Sequence, residues 1–294
     1  MKVQPICASC LLYRGVQELK RATSDKRVLQ EGIRKIAELI AVRFSFDLPP
    51  AVLGTERDRL IKKITKNPDP YREEKKRANE AVLKILPKLF EYIESSNSKK
   101  DRFFKASYLA ALGNFIEYDV LGYSFDEQLR DLFQRKVQLS IDDREKAFKI
   151  IEKLEGSTLI YLTDNAGEIV FDIPLLAVLR EDLGVYVILS PKSAPILNDA
   201  TVDDVYEVGA DQYVDQVVGV GSDVVGLNLD EASPEFLQYW QRAEFVIAKG
   251  MGHFEMLTEY PPKPPVLHIM ALKCEPVARA VGGAKGALAV CLRI

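Results

Sequence analysis

The 294-residue chain is expected to be an α/β protein: a three-layer α/β/α domain around a mostly parallel sheet, with a helical N-terminal region. Three observations predict this. Up to about residue 150, apolar residues recur at helical spacing. From about residue 157, short apolar runs alternate with helical stretches. Acidic, amide and lysine side chains collect where those runs end.

In the first part, Leu29, Ile33, Ile36 and Ile40 line one helix face. Val82, Leu86, Leu89 and Ile93 line another, which Pro87 should kink. Ser24-Asp25 and Asp142-Asp143 suit helix starts. The mixed charges of Arg72-Glu73-Glu74-Lys75-Lys76-Arg77 read as a solvated helix face. Almost no convincing strand, and no internal repeat, is expected before residue 150. A helix over Asp142–Leu154 should join residues 1–150, the helical region, to residues 151–294, the α/β domain. Strands are expected at Thr158–Leu162, Val185–Leu189, Phe245–Ala248, Val266–Met270 and Ala287–Cys291. Helices are expected at Ile169–Glu181 and Pro234–Arg242, and Tyr260-Pro261-Pro262-Lys263-Pro264-Pro265 reads as a stiff surface loop. His268 falls inside a strand and should be a core residue.

Composition excludes some functions. Hydrophobic residues make up 47%, enough for a large core. The net charge of −3 gives no electrostatic reason to expect nucleic acid or an anionic membrane. No apolar run approaches the ~20 residues of a membrane span, and the N-terminus lacks a signal-peptide apolar stretch, so a cytoplasmic protein is expected. The cysteines, at 7, 10, 274 and 291, are too few for a disulfide scaffold. Cys7-x-x-Cys10 suggests metal or redox chemistry, and Cys274 and His253 could complete a tetrahedral zinc site; burial as small apolar residues is the alternative.

The strand ends carry the chemistry. In an open α/β sheet, ligands bind beyond the carboxyl ends of strands. Asp164-Asn165-Ala166-Gly167-Glu168 follows the first run and offers two hard oxygen donors suited to Mg²⁺ or Mn²⁺. Gly167 permits a tight turn before a helix start, where free N–H groups suit an anion. Asp199 follows the second run, close enough to share a cation with Asp164. Each alone would also serve as turn former or cap. Lys249 ends a third run before a glycine-rich turn, Gly250-Met251-Gly252-His253, whose backbone suits an anion. Lys273 ends a fourth, before Cys274. Asn114, after Gly113 in an apolar helix, is a poor helix choice that marks either a functional position or a kink. No Gly-x-Gly-x-x-Gly follows the first run, which disfavours a dinucleotide site.

Together these segments resemble the metal-dependent damage-control phosphatase family, long catalogued as a domain of unknown function. The resemblance spans nearly the whole chain. It rests on Cys7-x-x-Cys10, Gly113-Asn114, Asp164-Asn165-x-Gly167-Glu168, Asn198-Asp199-x-Thr201, Gly252-His253-Phe254-Glu255 and Lys273-Cys274. The chain looks like the stand-alone, mostly prokaryotic and archaeal branch. His253 stands where that branch often has Asn, and Glu117 where Asp is common.

The resemblance implies a divalent metal, Mn²⁺, Ni²⁺, Co²⁺ or Mg²⁺, on Asp164, Asn165 and Asp199. It also implies hydrolysis of phosphate esters of small metabolites such as sugar phosphates or damaged metabolites. Asp164, Lys249 and Lys273 are the expected catalytic residues. Asn114, Glu168, Gly250, Gly252, His253 and Glu255 are the expected substrate contacts. Two alternatives stand beside this reading: an S-adenosylmethionine-dependent carboxyl methyltransferase, and a non-enzymatic metal or redox module on Cys7, Cys10 and Cys274.

Overall fold

Five apolar runs form strands within two residues of their expected places: Thr158–Leu162 (β2), Tyr186–Ser190 (β3), Phe245–Lys249 (β5), Val266–Ala271 (β6) and Leu288–Arg293 (β7). The computed structural model describes residues 1–115 and 137–294. Among them the sheet has seven strands, Leu139–Asp142 (β1) and Gln216–Val217 (β4) joining these five, in the order β1-β7-β6-β5-β2-β3-β4. All neighbouring pairs are parallel except β6 with β7.

Both edge strands escape a reading based on apolar runs. Leu139–Asp142 (β1) lies before residue 150, where almost no strand was expected, and Gln216–Val217 (β4) has only two residues. β1 alternates half-buried with exposed side chains over four residues, too short for its period to stand out.

The first part is helical: Pro5–Ala22 (α1), Lys26–Arg43 (α2), Pro50–Thr65 (α3), Arg72–Leu83 (α4), Leu86–Glu94 (α5) and Lys99–Gly113 (α6). Asp25 starts α2, its carboxylate accepting the N–H groups of Arg27 and Val28. The run around Pro87 is two helices rather than one kinked helix. Proline has no N–H to donate, and Pro87 sits in the first turn of α5, where none is needed. The joining helix is shorter than expected, Arg144–Ile151 (α7).

Helices Glu168–Ala177 (α8), Val202–Glu207 (α9), Pro234–Arg242 (α10), Gly250–Leu257 (α11) and Glu275–Val281 (α12) follow in the second part. Helix α8 continues into a π-helical turn, Val178–Asp182. One face of the sheet, with Tyr161, Ile247 and Leu267, packs against α6 and α8 through Phe103, Leu109 and Phe171. This core is continuous across residue 150. The other face, with Ile160, Leu162 and Val246, packs on Phe236 of α10. That makes three layers. Helices α6 and α8 meet so closely that a Cβ on Gly113 would lie 2.7 Å from Phe171 Cβ, so only glycine fits there.

His268 is buried in β6, edge-on to Phe254 with ring centroids 5.2 Å apart, as a core residue should be. No helix among the described residues is long and apolar enough to cross a membrane.

Strand β2 has β3 on one side and β5 on the other. The chain therefore leaves β2 toward β3 and later returns to fill the other side. Such a reversal opens a crevice at the carboxyl ends of the flanking strands. Here it lies beyond Leu162 and Lys249.

Candidate functional site

The segments after β2 and β3 are pinned together beyond the sheet. Asn165 and Asp199 form an isolated antiparallel bridge. Ala166 N–H donates to the Asn198 carbonyl at 2.9 Å, and Ala200 N–H to the Asp164 carbonyl at 2.7 Å. Asp164, Asn165 and Asp199 thus share one small patch of backbone.

Helix α6 ends at this patch. Asn114, its C-cap, is buried and links three elements. Its amide nitrogen donates to Asp164 Oδ2 and Glu168 Oε2, both at 2.8 Å, while its oxygen accepts Ala271 N–H from the end of β6 at 2.9 Å. The poor helix choice is therefore a helix end with a job in the site. Asn165 makes the matching pair, donating to Asp164 Oδ2 at 2.9 Å and Glu168 Oε2 at 2.8 Å.

Glu168 is the hub. Oε2 accepts from both asparagines, and Oε1 takes the Lys249 ammonium at 2.6 Å. Lys249 also donates to Asp172 Oδ1 at 2.6 Å, one helical turn beyond Glu168. Both residues named for substrate or catalysis here, Glu168 and Lys249, are buried with their polar atoms engaged. They hold the site from beneath. Asp172 was overlooked, although a carboxylate inside the apolar stretch Ile169–Glu181 was a visible anomaly.

Gly250 opens α11 with φ +76°, and a Cβ on it would lie 2.0 Å from Asp164 Oδ2. The glycine lets the carboxylate lie against the backbone. The first turn of α11 has no capping side chain, so its N–H groups keep their anion-binding capacity. His253 lies in that turn, and its Nδ1 is 2.8 Å from the Lys249 carbonyl, which makes Nδ1 the protonated nitrogen. Burial holds its pKa well below the usual value, and Nε2, the bare nitrogen, has no hydrogen-bond partner among the described residues. Gly252 packs against Val225. Glu255 lies one turn farther along, near Ala51 and the Met1 ammonium, where burial raises its carboxyl to about 7. It takes no part in the hydrogen bonds around Asp164. Lys273 is half-buried, and its charge acts on both Asp164 and Glu168.

Lys192 was also missed. It follows β3 by two residues, is fully buried, and places Nζ 3.6 Å from Asp199 Oδ2 and against the Gly226 carbonyl. The rule that selected Lys249 and Lys273, a lysine at the end of a strand, would have found it.

Charge and burial set the electrostatics. Burial first, then the neighbouring Glu168 charge, lifts Asp164 to about 6 against the pull of Lys273. Burial lifts Asp199 to about 8; Lys192 opposes this, and Asp164 and Asp58 add to it. Burial likewise lifts Asp172 to about 7 against Lys249. Burial would raise Glu168 too, but Lys249 outweighs it and the carboxyl stays low.

These groups fit a divalent cation. Glu168 pushes Asp164 toward protonation and Asp164 does the same to Asp199, so a positive charge beside these carboxylates relieves both. Asn165 turns its amide nitrogen toward carboxylates, which leaves its carbonyl oxygen for a cation. Two carboxylates and an amide oxygen are hard donors.

The zinc arrangement does not form. Among the described residues no group of three or more His, Cys, Asp or Glu side chains could hold a metal ion. Cys7 packs with Val3, Leu11 and Leu53, Cys10 faces solvent, Cys274 is half-buried, and all are free thiols. His253 is turned to the Lys249 carbonyl instead. The helix start at Gly167 is not a free anion site either, because Asn79 Oδ1 accepts the Gly167 N–H at 2.6 Å. Glu117 lies outside the described residues.

Comparison with known proteins agrees in sequence and in fold. Residues 3–289 match the damage-control phosphatase ARMT1-like domain. The chain is 35% identical over 288 residues to a damage-control phosphatase of Archaeoglobus fulgidus, covering 96% of each chain. It is 32% identical over 296 residues to a damage-control phosphatase of Pyrococcus horikoshii, covering 100% of this chain and 98% of that one. The crystal structure of a DUF89 family protein from Pyrococcus horikoshii superposes with a TM-score of 0.87 at 30% identity, covering 99% of this chain and 98% of that one. The chain belongs to the ARMT1-like damage-control phosphatase family.

Proposed function

We propose that the protein is a metal-dependent phosphatase with a damage-control role, hydrolysing phosphate monoesters of small metabolites. The observation that carries this is the meeting of Asp164, Asn165 and Asp199 at the sheet's reversal point, beside Lys273 and the Gly250 turn. Those three residues would hold Mn²⁺, Mg²⁺, Co²⁺ or Ni²⁺, which when bound supplies a Lewis acid and lowers the pKa of a water.

The protein's own groups do the rest. Asn114 and Glu168 fix Asp164 and Asn165 in one orientation. Lys249, clamped by Glu168 and Asp172, balances their charge from below. The N–H groups of the Gly250–Gly252 turn and the Lys273 ammonium offset charge growing on the transferred phosphoryl group. The methyltransferase reading is not favoured. The first turn of the parallel core carries Asp164-Asn165-Ala166-Gly167 where a nucleoside cofactor needs a glycine-rich loop.

EDTA should abolish p-nitrophenyl phosphate hydrolysis and Mn²⁺ should restore it, whereas Asp164→Ala should stay inactive in excess Mn²⁺. Undiminished turnover in EDTA, or by Asp164→Ala, would sink the proposal.

A further inference from the structure

We infer that Asn79, on helix α4 and remote from the reacting groups, is a positioning residue that keeps the Asp164 and Asp199 segments in register. The inference rests on the proposed reading of that site as a metal-dependent phosphatase. It names a part that the helical region plays in a centre built on the sheet.

Asn79 is fully buried, and both ends of its amide are engaged. Oδ1 accepts Gly167 N–H at 2.6 Å, and Nδ2 donates to Asp204 Oδ1 at 3.0 Å and Glu207 Oε2 at 2.9 Å. The two sides lead to different strands. Gly167 follows Asp164-Asn165 and immediately precedes Glu168. It has φ +71° and no side chain with which to cap α8, so a cap must come from elsewhere. Asp204 closes the start of α9: its Oδ2 accepts both the N–H of Thr201 at 2.8 Å and its hydroxyl at 2.6 Å. Thr201 stands two residues after Asp199. One amide therefore grips the end of the β2 segment with one atom and the cap of the β3 segment with the other.

Lys75, one turn earlier on α4, completes the grip. Its ammonium donates to Asp204 Oδ2 at 3.1 Å and lies 3.6 Å from Asp69 Oδ2. The ammonium thus shares Asp204 Oδ2 with Thr201. The charged run around Lys75 is thus not a solvated face throughout, since Lys75 is buried. The backbone bonds between Ala166 and Asn198 and between Ala200 and Asp164 tie the two segments directly. Asn79 adds a second clamp across the same two segments, from Gly167 to Asp204. Partners of this kind, one step removed from metal ligands, are typically worth ~10–100-fold in metal affinity or activity.

The test compares Asn79→Ala with Val82→Ala. Val82 is fully buried on the same helix and touches neither segment's hydrogen bonds, so its loss reports packing alone. Asn79→Ala should raise the Mn²⁺ concentration for half-maximal p-nitrophenyl phosphate hydrolysis about tenfold and lower kcat ~10–100-fold, leaving KM within about twofold. In hydrogen exchange without metal, peptides covering residues 163–170 and 198–205 should exchange faster, with the central strands unchanged. Val82→Ala should lower Tm while leaving the Mn²⁺ response and those two peptides as in the wild type. Wild-type behaviour of Asn79→Ala in both measurements, or the same changes in Val82→Ala, would overturn the inference. Absence of metal-dependent turnover in the wild type would overturn the phosphatase reading instead, and the exchange data would then decide the role of Asn79 by themselves. If Asn79→Ala does not fold, Asn79→Ser, which keeps a polar group too short to reach both partners, is read by the same two measurements.

Discussion

Replacing Gly250 with alanine should damage fold and site together, and the size of the effect can be worked out from its surroundings. At φ +76° a side chain incurs left-handed strain of about 1–2 kcal/mol. The new Cβ would also lie 2.0 Å from Asp164 Oδ2 and 2.2 Å from Cγ. That carboxylate cannot simply swing aside, because Oδ2 accepts from Asn114 and Asn165. Overpacking of this kind adds about 1–3 kcal/mol, giving a total of about 2–5 kcal/mol. Gly282 supplies the control. It has a similar φ, +81°, with nothing within 4 Å of a built Cβ, so Gly282→Ala should show the strain alone. Urea unfolding of both variants measures the difference, expected at about 1–3 kcal/mol. Mn²⁺-dependent p-nitrophenyl phosphate hydrolysis measures the site. A shift of about 1 Å in Asp164 should lower activity ~10²-fold in Gly250→Ala and leave Gly282→Ala active. Equal stability losses together with full activity in Gly250→Ala would refute the close approach.

Other expectations concern the scaffold. Arg57 and Glu18 form a buried pair, Nη2 to Oε2 at 3.2 Å, in which burial lifts Glu18 to about 8 against the pull of Arg57. Arg57→Met alone leaves a neutral buried carboxyl without its partner and should cost about 1–3 kcal/mol in urea unfolding, and adding Glu18→Leu should recover most of it. A double variant as unstable as the single one would contradict this. Burial pulls His268 down to about 3 from its ordinary 6.5, so the folded chain stays unprotonated there while the unfolded chain takes up a proton. Its stabilising contribution is complete above pH 6.5 and is lost as the pH falls toward 3. Between pH 7 and 5.5 the wild type should lose about 1 kcal/mol more than His268→Leu, and parallel stability curves would show the prediction wrong.

Much of the scaffold was visible in the chain because parallel strands covered on both faces must be apolar throughout. Thr158–Leu162 and Phe245–Lys249 announce themselves in that way. Leu139–Asp142 does not, since an edge strand is half wet and its four residues carry little periodic signal. The same logic applies at the site. Asp164, Asn165, Asp199 and Asn114 stood at strand ends or broke a local preference, and the structure brings them together. Asn79, Lys75 and Asp172 sit within helices, where polar residues are ordinary on an exposed face. Only the packing reveals that Asn79 and Lys75 face inward, whereas Asp172 interrupts an apolar stretch that the chain itself displays. Lys249 was found but its direction was not. A strand-end lysine can turn toward the crevice or under it, and two carboxylates on α8, which follows the neighbouring strand β2, decide the matter.

Asn114 has one further consequence. From the end of α6, its single amide is answered by a strand end and by two carboxylates, all at least fifty residues further along the chain. Peeling α6 away would remove one donor from Asp164 and one from Glu168 in the same event. Heat inactivation and melting should therefore coincide, with no surviving half-assembled centre at intermediate temperature.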